Sequence, residues 1–109
     1  MAYSETLADE VRYALAHLPS VREQKMIGGL SFMVNGKMCV SVFGDDDVLL
    51  RCDPAMADEF VKKGARYAEM KGKPMSKGWL CIRSSEIKNQ ENFDYWIGVA
   101  LDYNKKIAS

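Results

Sequence analysis

Histidine is almost absent from the sequence, since His17 is the only one among 109 residues. A catalytic Ser-His-Asp or Cys-His arrangement needs a histidine held by specific partners, and nothing near His17 in the sequence supplies them. Its position close to the end of a predicted helix favours an exposed side chain that interacts with the helix dipole. The run Asp45, Asp46 and Asp47 lacks the spacing of a calcium loop and predicts a solvated turn. We therefore expect no catalytic residues, no metal site and no cofactor.

Cysteines and long apolar runs are also scarce. Cys39, Cys52 and Cys81 are an odd number without Cys-x-x-Cys spacing, which excludes a disulfide framework and the usual zinc sites. The apolar runs are far shorter than the roughly 20 residues that a membrane helix requires. Residues 1–7 lack the basic start and apolar core of a signal peptide. The sequence thus predicts a cytoplasmic protein with buried, reduced thiols and no membrane contact.

Net charge is absent, because 15 basic and 15 acidic residues cancel. This balance argues against a uniformly basic nucleic-acid binder. Charge is nevertheless polarised along the chain: residues 62–88 contain eight basic and two acidic residues, whereas residues 45–59 contain six acidic residues and only Arg51 as a cation. A length of 109 residues fits one domain, residues 1–109, with a core of its own. If the two segments form separate surfaces, the molecule is dipolar.

Asn35-Gly36 lies between two alternating apolar runs and predicts a tight hairpin turn. Strands are predicted over residues 21–27, 30–34, 37–43 and 48–52, and their short connections indicate an antiparallel meander. Gly28-Gly29 lies between the first and second predicted strands and ends the first one. Because no phosphate-loop pattern surrounds these glycines, they are interpreted as allowing a bend or a close backbone contact.

Helix signals flank and interrupt the strands. Ser4 as a cap and Pro19 as a stop predict a helix over residues 4–18, and Asp53-Pro54 starts another that ends at Gly64. The clearest apolar periodicity predicts a helix over residues 89–107, in which Gly98 is interpreted as permitting close packing. Residues 66–70 and 76–83 have strand character, with a loop over 71–74.

The order is therefore helix, four strands, helix, two strands, helix. Strands in runs rather than in alternation with helices predict an α+β domain. We expect a two-layer sandwich in which an antiparallel sheet carries the helices on one face. The other face would be solvated or covered by a partner.

Two sets of residues are candidates for binding. The segment 71–79 combines cations, exposed backbone and an aromatic residue, and it could form an anion-binding or nucleic-acid-binding site with the glycine pair; the alternative is a solvated loop. Nucleic acid bound there would be held through phosphates rather than through bases. These anion candidates are Lys25, Gly28, Gly29, Lys71, Lys73 and Lys77. The aromatic residues near the C-terminus suit an interface but would equally serve a core; the interface candidates are Trp79, Phe93, Trp96 and Tyr103.

Residues 25–38, with their Met-x-Gly-Gly and Asn-Gly-Lys-Met pieces, resemble the N-terminal domain of the TfoX/Sxy family of competence regulators. Residues 48–51 and 72–75 and the aromatic last helix extend the resemblance over nearly the whole chain. Ile27 stands where the family usually has Phe. The resemblance implies a fold similar to type III secretion chaperones and no catalytic residues. The longer regulators carry a second, helical domain and are thought to assist the cyclic-AMP receptor protein; with the sequence ending at Ser109, we expect a stand-alone domain.

Three functions follow as hypotheses. The first is a non-enzymatic interaction module, a transcriptional co-regulator that contacts a protein such as a transcription factor, or DNA weakly. The second is a homodimeric, chaperone-like assembly protein that associates through a sheet face or the last helix. The third is a small enzyme or a binder of small anionic ligands that uses Lys25 and Gly28-Gly29 together with Lys71 and Lys73.

Overall fold

The computed structural model describes residues 3–26, 28–44, 47–70 and 72–108. The first helix, α1, spans Glu5–Ala14 and begins at Ser4, whose Oγ accepts a hydrogen bond from the Leu7 backbone N–H at 3.2 Å. The predicted cap is therefore confirmed. The helix ends at Ala14 rather than at residue 18, and turns complete the path to Pro19.

Four strands follow as an antiparallel meander, as predicted. They are β1 (Val21–Met26), β2 (Gly29–Val34), β3 (Lys37–Phe43) and β4 (Asp47–Arg51). Positive φ at Asn35 and Gly36, 55° and 79°, confirms the tight hairpin between β2 and β3. Between the pairs Phe32–Val40 and Met33–Met38 the register shifts, so Cys39 is the extra residue of a bulge.

Asp53 caps a 3₁₀ turn at Pro54–Met56, which leads into the short helix α2 (Ala57–Lys62). The strand predicted over residues 66–70 is instead two short ones, β5 (Arg66–Tyr67) and β6 (Glu69–Met70). Buried Ala68 lies between them; its N–H donates to the Trp79 carbonyl at 3.1 Å, and its own carbonyl accepts a hydrogen bond from the Met75 N–H at 2.8 Å. Consequently β6 folds back on β7 (Lys73–Pro74), within the segment predicted as a loop.

Strand β8 (Trp79–Ile82) enters the main sheet between β4 and β5, which gives the order β1-β2-β3-β4-β8-β5 with every neighbouring pair antiparallel. After a 3₁₀ turn at Ser84–Glu86, helix α3 (Gln90–Ala108) closes the domain. Its packing does not depend on Gly98 as predicted, since a Cβ added there would meet nothing within 4 Å. No helix in the described ranges is long and apolar enough to cross a membrane.

The helices cover one face of the sheet, which confirms the predicted α+β sandwich. Side chains that alternate toward α1 and α3 form the core, including Phe32, Val40, Leu50 and Leu80, each with no exposed surface. Asn104 is the buried polar residue of α3, and its Nδ2 donates to the Val34 carbonyl at 2.9 Å. This bond fixes α3 against the end of β2. No helix of the described residues lies on the opposite face of the sheet.

Candidate interaction cleft on the open face of the sheet

A cleft of about 710 Å³ lies on the helix-free face of the sheet. Its volume falls within the range of about 300–1,000 Å³ that is usual for binding sites. The start of β2 forms one side, and residues 66–69 together with Met75 form the other. The floor and walls are mainly apolar and are lined by Met26, Phe43, Leu49, Tyr67, Met75 and Cys81.

The floor of the cleft follows from the strand register. Residues paired across antiparallel strands point to the same face of a sheet. One continuous row, here termed the cross-sheet row, therefore crosses all six strands. It consists of Gln24, Ser31, Ser41, Leu49, Cys81 and Arg66. The row is small and polar toward β1, apolar in the middle and cationic at its far end.

The hydroxyls of Ser31 and Ser41 have already formed their hydrogen bond. The two Oγ atoms lie 2.7 Å apart, both side chains are buried, and the Ser31 hydroxyl also contacts the Met26 sulfur. No buried side-chain nitrogen or oxygen among the described residues lacks a partner. These small side chains leave space above the sheet, and their hydroxyls need no hydrogen bond from a ligand.

Among the described residues, positive charge at the rim comes from Arg83 and Arg66. Arg83 lies with its Nε 3.7 Å from Asp47 Oδ1, and the same carboxylate accepts a hydrogen bond from the Ser84 N–H at 3.2 Å. The Arg66 guanidinium has no ion-pair or hydrogen-bond partner within the described part of the chain. Glu69 is exposed nearby on the same wall. Arg66 is therefore the cation available to an acidic group that enters the cleft.

Cys81 is the one thiol in the cleft, and its environment keeps it protonated. Burial raises its pKa, the Asp47 carboxylate raises it further, and Arg83 and Arg66 oppose that effect. Since the thiolate is the reactive form, the geometry does not activate Cys81 as a nucleophile.

The sequence-family model described as the TfoX N-terminal domain matches residues 13–103 of the chain. The chain belongs to this family. No curated protein matches it at a significant level. The family resemblance noted in the sequence is thereby confirmed, and the fold of this TfoX N-terminal domain agrees with the predicted order of elements.

The predicted anion residues are placed apart from one another in this TfoX N-terminal domain. Gly28 and Gly29 line the cleft. Lys25 pairs with Leu30, whose side chain is in the core, and therefore projects toward the helix-covered face at the sheet edge. Lys73 lies exposed in β7, outside the cleft lining. Lys71 lies outside the described residues.

Lys77 is engaged elsewhere, with its Nζ 3.4 Å from Asp58 Oδ2, and the same carboxylate accepts a hydrogen bond from the Tyr67 hydroxyl. These contacts lower the pKa of Asp58, the Tyr67 bond being the larger cause. Among the described residues, the cations at the cleft are Arg66 and Arg83 rather than lysines. Both belong to the basic segment seen in the sequence, but only the register of β5 and β8 identifies them.

Of the other acidic and histidine residues considered, Asp45 and Asp46 lie outside the described residues. Asp47 is occupied by Arg83 and the Ser84 backbone. His17 is exposed just beyond α1. No group of three metal-binding side chains occurs within the described ranges.

The aromatic interface candidates divide into two pairs. Phe93 and Trp96 are buried against the sheet, with only 3% and 4% of their surface exposed. Trp79 and Tyr103 are partly exposed, and the Arg51 guanidinium carbon lies 5.3 Å and 5.9 Å from their ring centroids. Phe93 and Trp96 therefore serve the core of this chain, whereas Trp79 and Tyr103 retain accessible surface.

We expect Cys39 to be inert in the folded protein. Burial raises its pKa from 9.0 to about 12, so the native thiol stays protonated at neutral pH. Ellman's reagent should react slowly with Cys39 in buffer and rapidly in guanidinium chloride, as followed by mass spectrometry of digested peptides. Because the unfolded thiol ionises first, the Cys39 contribution to stability is constant below pH 9.0 and falls as the pH rises toward 12. Urea titrations should show a larger alkaline loss of stability in wild type than in Cys39→Ala, which keeps the smaller losses due to the raised pKa values of Cys52 and Cys81; equal pH dependence would contradict this.

Proposed function

We propose that this chain is a non-enzymatic regulatory interaction module whose open-face cleft binds an extended, acidic and apolar segment of a partner protein. Membership of the TfoX N-terminal domain family supports a regulatory role, and competence-related transcriptional co-regulation is the role that we propose. A cytoplasmic location is part of the proposal and fits the three unpaired cysteines.

The cross-sheet row is the observation that carries the proposal. Its apolar centre, formed by Leu49 and Cys81, offers surface for an apolar side chain, and Arg66 stands at its end without a described partner. An extended occupant that carries an apolar and an acidic side chain two residues apart, and so on the same face, satisfies both features at once. An extended segment is favoured because its alternate side chains point to the same face and can contact the row together.

Non-covalent binding rather than catalysis suits the chemistry of the cleft. The Cys81 thiol is kept protonated, and the Ser41 hydroxyl is bonded to Ser31 rather than to a base. Nucleophilic catalysis would need an activating base beside one of them. The residues present are those of a recognition surface: apolar contacts for affinity and arginines for the choice of partner.

A peptide in which leucine and glutamate lie two residues apart, with serine at the positions between them, is the probe that tests this function. It should bind the wild-type chain in fluorescence anisotropy, and a leucine–lysine peptide should bind far more weakly. Arg66→Glu should weaken binding roughly tenfold, since an attractive charge contact becomes repulsive. Leu49→Asp should do the same by placing a charge on the apolar floor. Lys37→Glu, an equal charge change at the exposed end of β3, serves as the matched control and should bind normally.

Outcomes that contradict the proposal are equally clear. If the leucine–lysine peptide bound as well, or if Arg66→Glu and Lys37→Glu behaved alike, charge selection by the cleft would be wrong. Binding of free glutamate or phosphate as tightly as the peptide would assign the cleft to small anions. A salt series with labelled duplex DNA tests direct DNA contact, and salt-sensitive binding lost in Lys73→Glu would favour nucleic acid as the partner.

A further inference from the structure

Strand β1 is an open edge of the main sheet. The other edge, β5, is only two residues long, whereas β1 has six residues and exposes Arg22 through Met26. The outer backbone groups of such a strand can pair with another strand. Charged side chains discourage indiscriminate pairing, so the pattern of charges decides which strand the edge accepts.

A second copy of the chain can add to this edge in only a few ways. Two identical edge strands that pair antiparallel are related by a two-fold axis perpendicular to the sheet. That axis keeps each copy's helices on the same face, so residues of one face must oppose residues of the same face. The axis must therefore pass through a residue of β1, which then opposes its own counterpart.

Overlap and charge select among these registers, because an axis at either end of β1, through Val21 or Met26, pairs almost none of the strand. An axis through Arg22, Glu23 or Lys25 places two like charges directly opposite each other, which is destabilising. An axis through Gln24 instead sets Glu23 opposite the partner's Lys25, and Lys25 opposite the partner's Glu23. Both ion pairs lie on the helix-covered face, and the two glutamine amides meet at the axis.

We propose that two copies of this chain associate through β1 about an axis at Gln24 and so join their sheets. Glu23 is held in position by Arg12 of α1, with the Arg12 Nε 2.5 Å from Oε2 and Nη2 2.8 Å from Oε1. Asp9 also contacts Arg12, so Asp9, Arg12 and Glu23 together present one negative charge to the partner's Lys25. Lys25 is exposed at the same edge and has no ion-pair partner within the described residues.

The association has a consequence for the open face. Gln24 is the first residue of the cross-sheet row, so the axis joins the rows of both copies into one that runs from Arg66 to the partner's Arg66. The two clefts then lie on the same face of one sheet. The association goes beyond the function proposed for a single cleft, because it depends only on the contact between the two β1 strands.

Sedimentation velocity over a wide range of protein concentrations tests the association. Wild type should convert from monomer to dimer. Lys25→Glu should raise the dissociation constant roughly tenfold or more, because both ion pairs become like-charge pairs. Glu23→Lys should do the same. Lys37→Glu, the control outside β1, should dimerise like wild type.

Mixing the two weakened variants provides the decisive measurement. A chain with glutamate at both positions and a chain with lysine at both are complementary, so the mixture should form a heterodimer although neither variant dimerises well alone. Gln24→Cys should form an intermolecular disulfide on oxidation, whereas Arg22→Cys, which lies away from its counterpart, should not.

A wild-type chain that stays monomeric at every concentration would overturn the proposal. So would a dimer that Lys25→Glu leaves intact, or a mixture that associates no better than its components. Should Glu23→Lys fail to fold without its Arg12 contact, as judged by circular dichroism, the disulfide comparison still decides the register. Peptide binding to the cleft is measured separately, so either proposal can fail without the other.

Discussion

Replacing Trp96 by alanine is expected to lower the free energy of unfolding by about 3–5 kcal/mol, the usual loss for a large aromatic side chain removed from a core. Only 4% of Trp96 is exposed. Its ring contacts Phe60 edge-on with centroids 6.0 Å apart, and Tyr95 with centroids 4.9 Å apart. The substitution removes these contacts and leaves a cavity between α3 and the core. Urea unfolding followed by circular dichroism measures the change.

Tyr95→Ala is the matched control for Trp96→Ala. Tyr95 is the neighbouring aromatic residue on α3 and is 41% exposed, so its loss should cost much less. If Trp96 instead served an interface, its replacement would leave the stability of the monomer intact and change only the oligomeric state. A stable Trp96→Ala monomer would therefore contradict the core assignment.

Local patterns were sufficient to predict most of the fold. The Asn35-Gly36 hairpin follows from a turn that requires positive φ at both residues, and both adopt it. Helix α3 follows from apolar spacing strong enough to outweigh Gly98. Such features depend on residues within a few positions of each other. The order of the first four strands was predictable for the same reason.

Features that depend on pairing between distant segments were not predictable. Residues 66–70 have the composition of one strand, but the hydrogen-bond partner changes at Ala68, from Trp79 to Met75, and this divides the segment into β5 and β6. Arg66 reaches the cleft because β8 lies between β4 and β5, an order that no local pattern specifies. The direction of a side chain depends on the exact position in the strand: Met26 lines the cleft, whereas its neighbour Lys25 points to the other face.

Gly29→Ala is expected to destabilise the chain by about 1–3 kcal/mol, the usual cost of overpacking, and toward the upper end of that range. A Cβ at this position would lie 2.6 Å from the Val42 carbonyl oxygen and 3.2 Å from the Phe43 Cβ. The first neighbour is backbone of the paired strand, so no side-chain rotation can relieve the contact. Strands β2 and β3 would have to separate at the edge of the cleft. Urea unfolding measures the loss in stability.

Gly98→Ala, the same change of residue at another position, is expected to raise the stability rather than lower it. Nothing lies within 4 Å of a Cβ added at Gly98, which is in the middle of α3. Alanine should therefore stabilise the helix by about 1 kcal/mol, the difference in helix propensity between the two residues. A shift of opposite sign in the two variants would show that close backbone approach, rather than glycine content in general, accounts for the requirement at Gly29. Equal destabilisation of both would refute this explanation, and a neutral Gly29→Ala would mean that β2 and β3 can separate at little cost.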